Sequence, residues 1–198
     1  MVSLLMNLES LTEWITAHIQ RRLREMPPQL AKDVYAISLY IDVAEQEITF
    51  SVNTNSQVEL ALAGKSKGYG LPSGEQEARW NYAFWMQEPG SRFLTPPGSE
   101  DAKLWNSILE ELGFHQYSEK DDFDIEGYEI GVAKALSELC IKVSRALHAS
   151  GIIQEVFHRD VPIIVHQLEY DDAIADITES ANPAGVSAEF VAWVTNDA

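Results

Sequence analysis

Five histidines, one cysteine and a clustered set of carboxylates are the side chains whose types invite chemistry, and their spacing decides what they support. His18, His115, His148, His158 and His166 show no H-E-x-x-H or H-x-H arrangement, so imidazoles build no metal site locally. Cys140 is the only cysteine, which excludes an internal disulfide and a thiolate zinc cluster. It falls inside an apolar helical pattern, the setting of a packing side chain rather than an activated thiol. The best local acid–base constellation is His166 with Glu169, Asp171 and Asp172, placed at the end of an expected strand. A satisfied structural histidine is the plainer account of the same residues.

The segment EKDDFDIEGYEI, residues 119 to 130, invites a calcium reading. Asp122, Asp124, Glu126 and Gly127 follow the opening half of an EF-hand loop in outline. Glu129 then stands where an apolar residue belongs, and Ala133 where the bidentate glutamate is required. The stretch therefore reads as a solvated acidic loop or a protein-binding edge. KSKGYGLPSG, residues 65 to 74, is glycine-rich but lacks the order of a phosphate cradle. Arg21, Arg22 and Arg24 cluster near an expected helix C-terminus, where the macrodipole favours cations, and need no anion to explain them. Neither a metal nor a cofactor is expected.

Net charge is −17, and it is unevenly placed. Residues 1 to 98 carry 8 Lys+Arg against 11 Asp+Glu, or −3; residues 99 to 198 carry 6 against 20, or −14. A surface that negative argues against nucleic acid and anionic membranes and is compatible with a cationic protein partner. Plain solubility is the alternative account. The N-terminus has no basic leader region and meets Glu9 and Glu13 early, and no run approaches the ~20 apolar residues of a membrane span, so a cytoplasmic location is expected.

The elements that must position these residues centre on VYAISLYIDVAEQEITFSVNT, residues 34 to 54, which reads as a β-hairpin with a four- or five-residue loop. Strict alternation puts Tyr35, Ile37, Leu39, Ile41 and Val43 on one face and Val34, Ala36, Ser38, Tyr40 and Asp42 on the other. Residues 7 to 26 carry an apolar stripe including Leu8, Leu11, Trp14, Ile15, Ile19 and Leu23, closed by Pro27-Pro28. EARWNYAFWMQE, residues 77 to 88, alternates Trp80, Tyr82, Phe84 and Met86 with Arg79, Asn81, Ala83 and Trp85 and predicts a third strand, with a helix as the other option. Helices are expected near 99 to 113 and 126 to 150, the latter with Ile130, Ala133, Leu136, Leu139, Cys140, Val143 and Leu147 inward; a strand is expected near 161 to 170 and a short helix after Asp171 or Asp172. The fold class this predicts is α+β: a single domain over residues 1 to 198, core about 8 to 183, with a mainly antiparallel sheet of about four strands built on the central hairpin and covered by helices.

The hairpin SLYIDVAEQEITFSVNT, the ARWNYAFWMQE segment, the long amphipathic helix before a branched-chain strand and the terminal ITESANP together resemble a bacterial family known as domain of unknown function four-three-zero-three. The resemblance spans residues 8 to 183; the Trp80-to-Trp85 spacing is kept while the residues around it depart from the pattern. It carries no established activity. What it implies is an association with toxin systems and SMI1/KNR4-like immunity proteins. On that basis the expected function is non-enzymatic protein binding, as an immunity protein that occludes a basic bacterial toxin. Asp121, Asp122, Asp124, Glu126 and Glu129 would supply steering charge, and Trp80 and Trp85 aromatic anchors. The alternatives are a small hydrolase or transferase using His166 with its nearby carboxylates, and a regulatory scaffold with no dedicated partner.

Overall fold

The computed structural model describes residues 2–66, 70–86, 91–93, 100–111 and 125–196. Helix α1 (Val2–Arg24) forms on the four-residue spacing of Leu11, Ile15, Ile19 and Leu23, all buried, while Trp14 in the same stripe stays 43% exposed. Pro27 precedes the short α2 (Pro28–Asp33), whose first residue is a proline with no backbone donor to waste. The hairpin follows as β1 (Val34–Asp42) and β2 (Glu47–Thr54), paired antiparallel around a four-residue connection that places Gln46 at φ 53.

A β-bulge between Val34 and Ala36 breaks the alternation at the start of β1. Val34 consequently joins the main core, and Tyr35 turns to the opposite side with Ala36, against the expectation that Tyr35 shares a face with Ile37. Thr54 then caps α3 (Asn55–Leu62), its side chain accepting from the Gln57 N–H.

Residues 77 to 88 do not form a strand. The chain makes α4 (Glu75–Trp80), started by Glu77 reaching back to accept from the Ser73 N–H at 2.6 Å, and then a single 3-10 turn (Tyr82–Phe84) whose Asn81 side chain accepts from Ala83 N. The aromatics pack by ring contact instead of pairing in a sheet. The remaining elements are β3 (Ser91–Phe93), α5 (Glu100–Glu111), α6 (Ile125–Ala149), α7 (Ile152–Phe157), β4 (Ile163–His166), α8 (Asp172–Ala181) and α9 (Ala188–Asn196). Along α6 the inward side includes Val132, Leu136, Leu139, Cys140, Val143 and Leu147; Ile130, expected there, is 62% exposed. Burial pushes the Cys140 thiol far above its usual range, which keeps it protonated and inert.

These findings correct the expected fold class. Helices hold 62% of the described residues, so the chain is mainly helical with a small sheet rather than a sheet-dominated domain. The sheet consists of β2, β1 and β4 with the three-residue β3 as a fringe, in the order β3-β2-β1-β4. It is mixed, because β4 lies parallel to β1, with Ile37 opposite Ile163 and Leu39 opposite Val165. Both faces are covered. On the first, Ile37, Leu39, Ile41, Ile48, Phe50, Ile163 and Val165 meet α1, α5, α6 and α7. On the second, Ala36 and Ile164 meet Trp80, Trp85 and the inner sides of α8 and α9, including Ile174, Phe190 and Val194.

Among the described residues, no further strand pairs with the outer edge of β4. Thr178 on α8 accepts from the Val165 N–H at 3.2 Å and donates to the Val165 carbonyl at 3.0 Å. One turn on, Asn182 accepts from the Ile163 N–H at 2.8 Å and donates to the Ile163 carbonyl at 2.7 Å. Two side chains four residues apart thus satisfy the backbone groups that a neighbouring strand would have satisfied.

Candidate functional site

His166 ends β4 on the second face of the sheet, wholly buried. Parallel pairing sets it opposite Tyr40, and Ser38 lies on the same face one step back along β1. The Ser38 Oγ to His166 Nε2 distance is 2.8 Å, and His166 Nδ1 lies 2.9 Å from the Gln167 carbonyl oxygen. Because a carbonyl only accepts, Nδ1 bears the proton, Nε2 is the acceptor, and the Ser38 hydroxyl donates to it. Burial, partly opposed by the Gln167 carbonyl, lowers the histidine pKa from 6.5 to about 4. The imidazole is therefore neutral near pH 7.

Rings enclose it. Tyr82 lies with its centroid 4.9 Å from His166, Tyr40 and Tyr170 each at 5.5 Å, and Trp85 at 6.3 Å. Tyr40 and Tyr82 stack at 5.2 Å and 8°. Tyr170 stacks on His166 at 27° and accepts the Tyr82 N–H through its hydroxyl at 3.0 Å, so the turn after α4 is fixed to the chain after β4. A second ring group supports the first: Tyr35 sits edge-on to Trp80 and Trp85, receives the Asn53 side chain at 2.8 Å and donates to the Arg79 carbonyl, while the Arg79 guanidinium lies 4.6 Å over its ring.

The carboxylates grouped with His166 by sequence are not brought to it. Asp171 accepts from the Ile174 N–H at 3.0 Å as the cap of α8, and Glu169 and Asp172 are exposed. Burial, partly opposed by the Gln167 carbonyl, sets the titration of His166. Ser38 does stand where a nucleophile would stand beside a histidine base, but both side chains are 0% exposed. The pair acts as a polar tie between parallel strands.

Toward its edge, the same cluster has partly buried tyrosines and negative charge. Tyr40 is held above its usual pKa by burial first, then by Asp42, Tyr82 and Glu47, which places those two carboxylates beside it. Glu169, Asp171 and Asp172 lie on either side of Tyr170, all exposed. Neither residues 33 to 64 nor residues 160 to 198 contain a lysine or arginine; the segment that supplies Tyr82 carries Arg79, which lies over the Tyr35 ring and pairs with Glu75.

Of the residues expected to meet a partner, Asp121, Asp122 and Asp124 lie outside the described residues. Glu126 falls in the first turn of α6, and Glu129 is exposed on that helix. Trp80 and Trp85 are 3% and 2% exposed, with their indole N–H groups donating to Gln76 Oε1 and the Arg79 carbonyl. They are pillars of the second face, with almost no surface open to solvent. Residues 125 to 133 are helical, not a ligand loop, and among the described residues no group of three or more His, Cys, Asp or Glu is arranged to hold a metal ion. No helix among the described residues is long and apolar enough to cross a membrane.

Sequence reasoning singled out His166 but missed Ser38, Tyr40, Tyr82 and Tyr170. Ser38, a lone small hydroxyl inside an apolar strand, was the available signal; its partner 128 positions away was not visible. No family model, curated protein or solved structure matches this chain.

Proposed function

We propose that the protein is a non-enzymatic binding module for a cationic protein, acting in the cytoplasm, most concretely as an immunity protein that neutralises a basic bacterial toxin by covering it. The observation that carries the reading is the rim around His166: Tyr40, Tyr82 and Tyr170, each partly buried, with Asp42, Glu169, Asp171 and Asp172 in segments without a lysine or arginine. Tyrosines give rigid contact area and faces for cations, and the carboxylates attract a basic surface over roughly a Debye length, about 8–10 Å at ordinary salt. The toxin as the identity of the partner rests on the resemblance of residues 8 to 183 alone.

A hydrolase has one observation in its favour, the Ser38–His166 geometry. Its base is held near pKa 4 by burial, and a substrate would have to displace the enclosing rings to reach the hydroxyl. The test has two arms. The full chain, immobilised at 50 and 500 mM salt, should retain a basic protein that binds at least tenfold more weakly at the higher salt, and combining Glu169→Gln, Asp171→Asn and Asp172→Asn should slow its association several-fold. Binding indifferent to salt, or labelling of Ser38 by a fluorophosphonate, overturns the reading.

A further inference from the structure

Where α6 and α8 end, Arg145, His148 and Ala149 face Ala181, Asn182 and Pro183 across a cleft of about 360 Å³. That is the lower part of the size range of small-molecule sites. Arg145, His148 and Ala149 stand three and four residues apart, so a single face of α6 supplies one wall.

A chain of fixed donors and acceptors sets the chemistry of this cleft. The orientation of the Asn182 amide is settled by the backbone: its Oδ1 accepts the Ile163 N–H at 2.8 Å, and its Nδ2 donates to the Ile163 and Thr178 carbonyls at 2.7 and 2.8 Å. His148 Nε2 lies 3.0 Å from that same oxygen, so Nε2 bears a proton. Burial lowers the histidine pKa, the ring is neutral near pH 7, and Nδ1 keeps a lone pair with no partner among the described residues. Arg145 Nε donates to the Ser180 carbonyl at 2.7 Å, which holds the guanidinium at the end of α8. Capping that helix accounts for Nε alone. The two Nη groups have no partner among the described residues.

These unspent groups select a guest. Paired Nη donors suit a carboxylate, and the Nδ1 lone pair calls for a donor. A simple anion is a poor match, because both helices end at the cleft with their negative poles, Asp160 acts on His148 from nearby, and the chain carries −17. A zwitterion avoids that penalty. Its carboxylate meets the guanidinium, while its ammonium donates to Nδ1 and is favoured by the helix ends. Ala149, Ala181 and Pro183 leave an apolar wall for a small side chain.

We propose that this cleft binds a free α-amino acid with a small apolar side chain, its carboxylate on the Arg145 Nη groups and its ammonium on His148 Nδ1. The site is independent of the binding-module reading.

The experiment titrates the full chain, labelled with nitrogen-15, with L-alanine, L-valine or L-leucine and follows amide and imidazole resonances. Binding should saturate with a dissociation constant on the order of 1–10 mM, move the Ala149 and Ala181 amides, and shift His148 Nδ1 as a nitrogen that gains a hydrogen-bond donor. Propionate and ethylamine, which each carry one of the two charged groups, should bind at least tenfold more weakly than L-alanine. Arg145→Gln should weaken L-alanine at least tenfold, whereas Lys134→Gln, which removes the same charge about three turns back along α6, should leave it within twofold. Unchanged melting shows that both variants fold, and if Arg145→Gln does not, the comparison of L-alanine with propionate and ethylamine decides alone. Equal binding of propionate would make this a plain anion site, and equal binding of N-acetyl-L-alanine a site for a peptide end. Either result overturns the proposal, as does an unmoved His148 Nδ1 or the absence of any shift.

Discussion

Ser38 and His166 illustrate how a buried polar pair is settled by what each atom can donate. The serine gives its proton to Nε2, the imidazole gives the Nδ1 proton to the Gln167 carbonyl, and surrounding rings exclude water. Ser38→Ala should destabilise the fold by about 1–3 kcal/mol, because Nε2 is then an unpaired acceptor in a dry site. The sign of the pH effect follows from a histidine whose folded pKa is depressed. The unfolded chain takes up a proton at 6.5 and the folded one only near 4, so stability is full above 6.5 and falls as the pH drops toward 4, by roughly 3 kcal/mol. His148, lowered chiefly by burial, adds in the same direction. Urea midpoints from pH 7.5 to 4.5 should show this slope in the parent and in Ser38→Ala, whose histidine is still desolvated, and a flatter one in His166→Phe. An equally steep slope in His166→Phe would place the proton uptake elsewhere.

Among elements, the edge made by α8 carries the clearest consequence. Asn182 serves the Ile163 N–H and carbonyl, the Thr178 carbonyl at 2.8 Å and His148 Nε2 at 3.0 Å. Asn182→Ala should cost roughly 2–4 kcal/mol by denaturant unfolding, since several buried backbone groups lose their partner together; a loss below 0.5 kcal/mol would show that water replaces the amide. This role accounts for the asparagine of ITESANP. Helices α1 and α6 and the hairpin were legible because their periods of 3.6 and 2 run long enough to separate. Residues 77 to 88 were not: Trp80, Tyr82, Phe84 and Met86 satisfy period two, and the Ser73–Glu77 and Asn81–Ala83 hydrogen bonds that set α4 and its following turn are short, local signals inside an aromatic run. The bulge at Val34 and the parallel pairing of β4 depend on contacts more than a hundred residues apart or on one irregular residue, neither of which alternation reveals. The candidate site shared that fate, with its histidine visible and its enclosure not.

At the scale of the whole molecule, a net charge of −17 sets like charges against one another, and surface ion pairs such as Arg24–Glu155 and Arg79–Glu75 offset it only slightly. Both are exposed on at least one side, and such pairs contribute ~0–1 kcal/mol each. Repulsion therefore outweighs pairing, and raising NaCl from 10 to 300 mM should lift the melting temperature by several degrees. A falling melting temperature would mean that attractive contacts dominate instead. The stitching of β4 by Thr178 and Asn182 also limits how a guest can approach. A peptide seeking to extend the sheet finds no free backbone donors or acceptors along Ile163 and Val165, and on the far side the last strand offers three residues. Strand addition is thus a poor entry for any visitor, and selectivity falls to side chains carried on turns, where a single replacement changes the guest without disturbing the ribbon beneath.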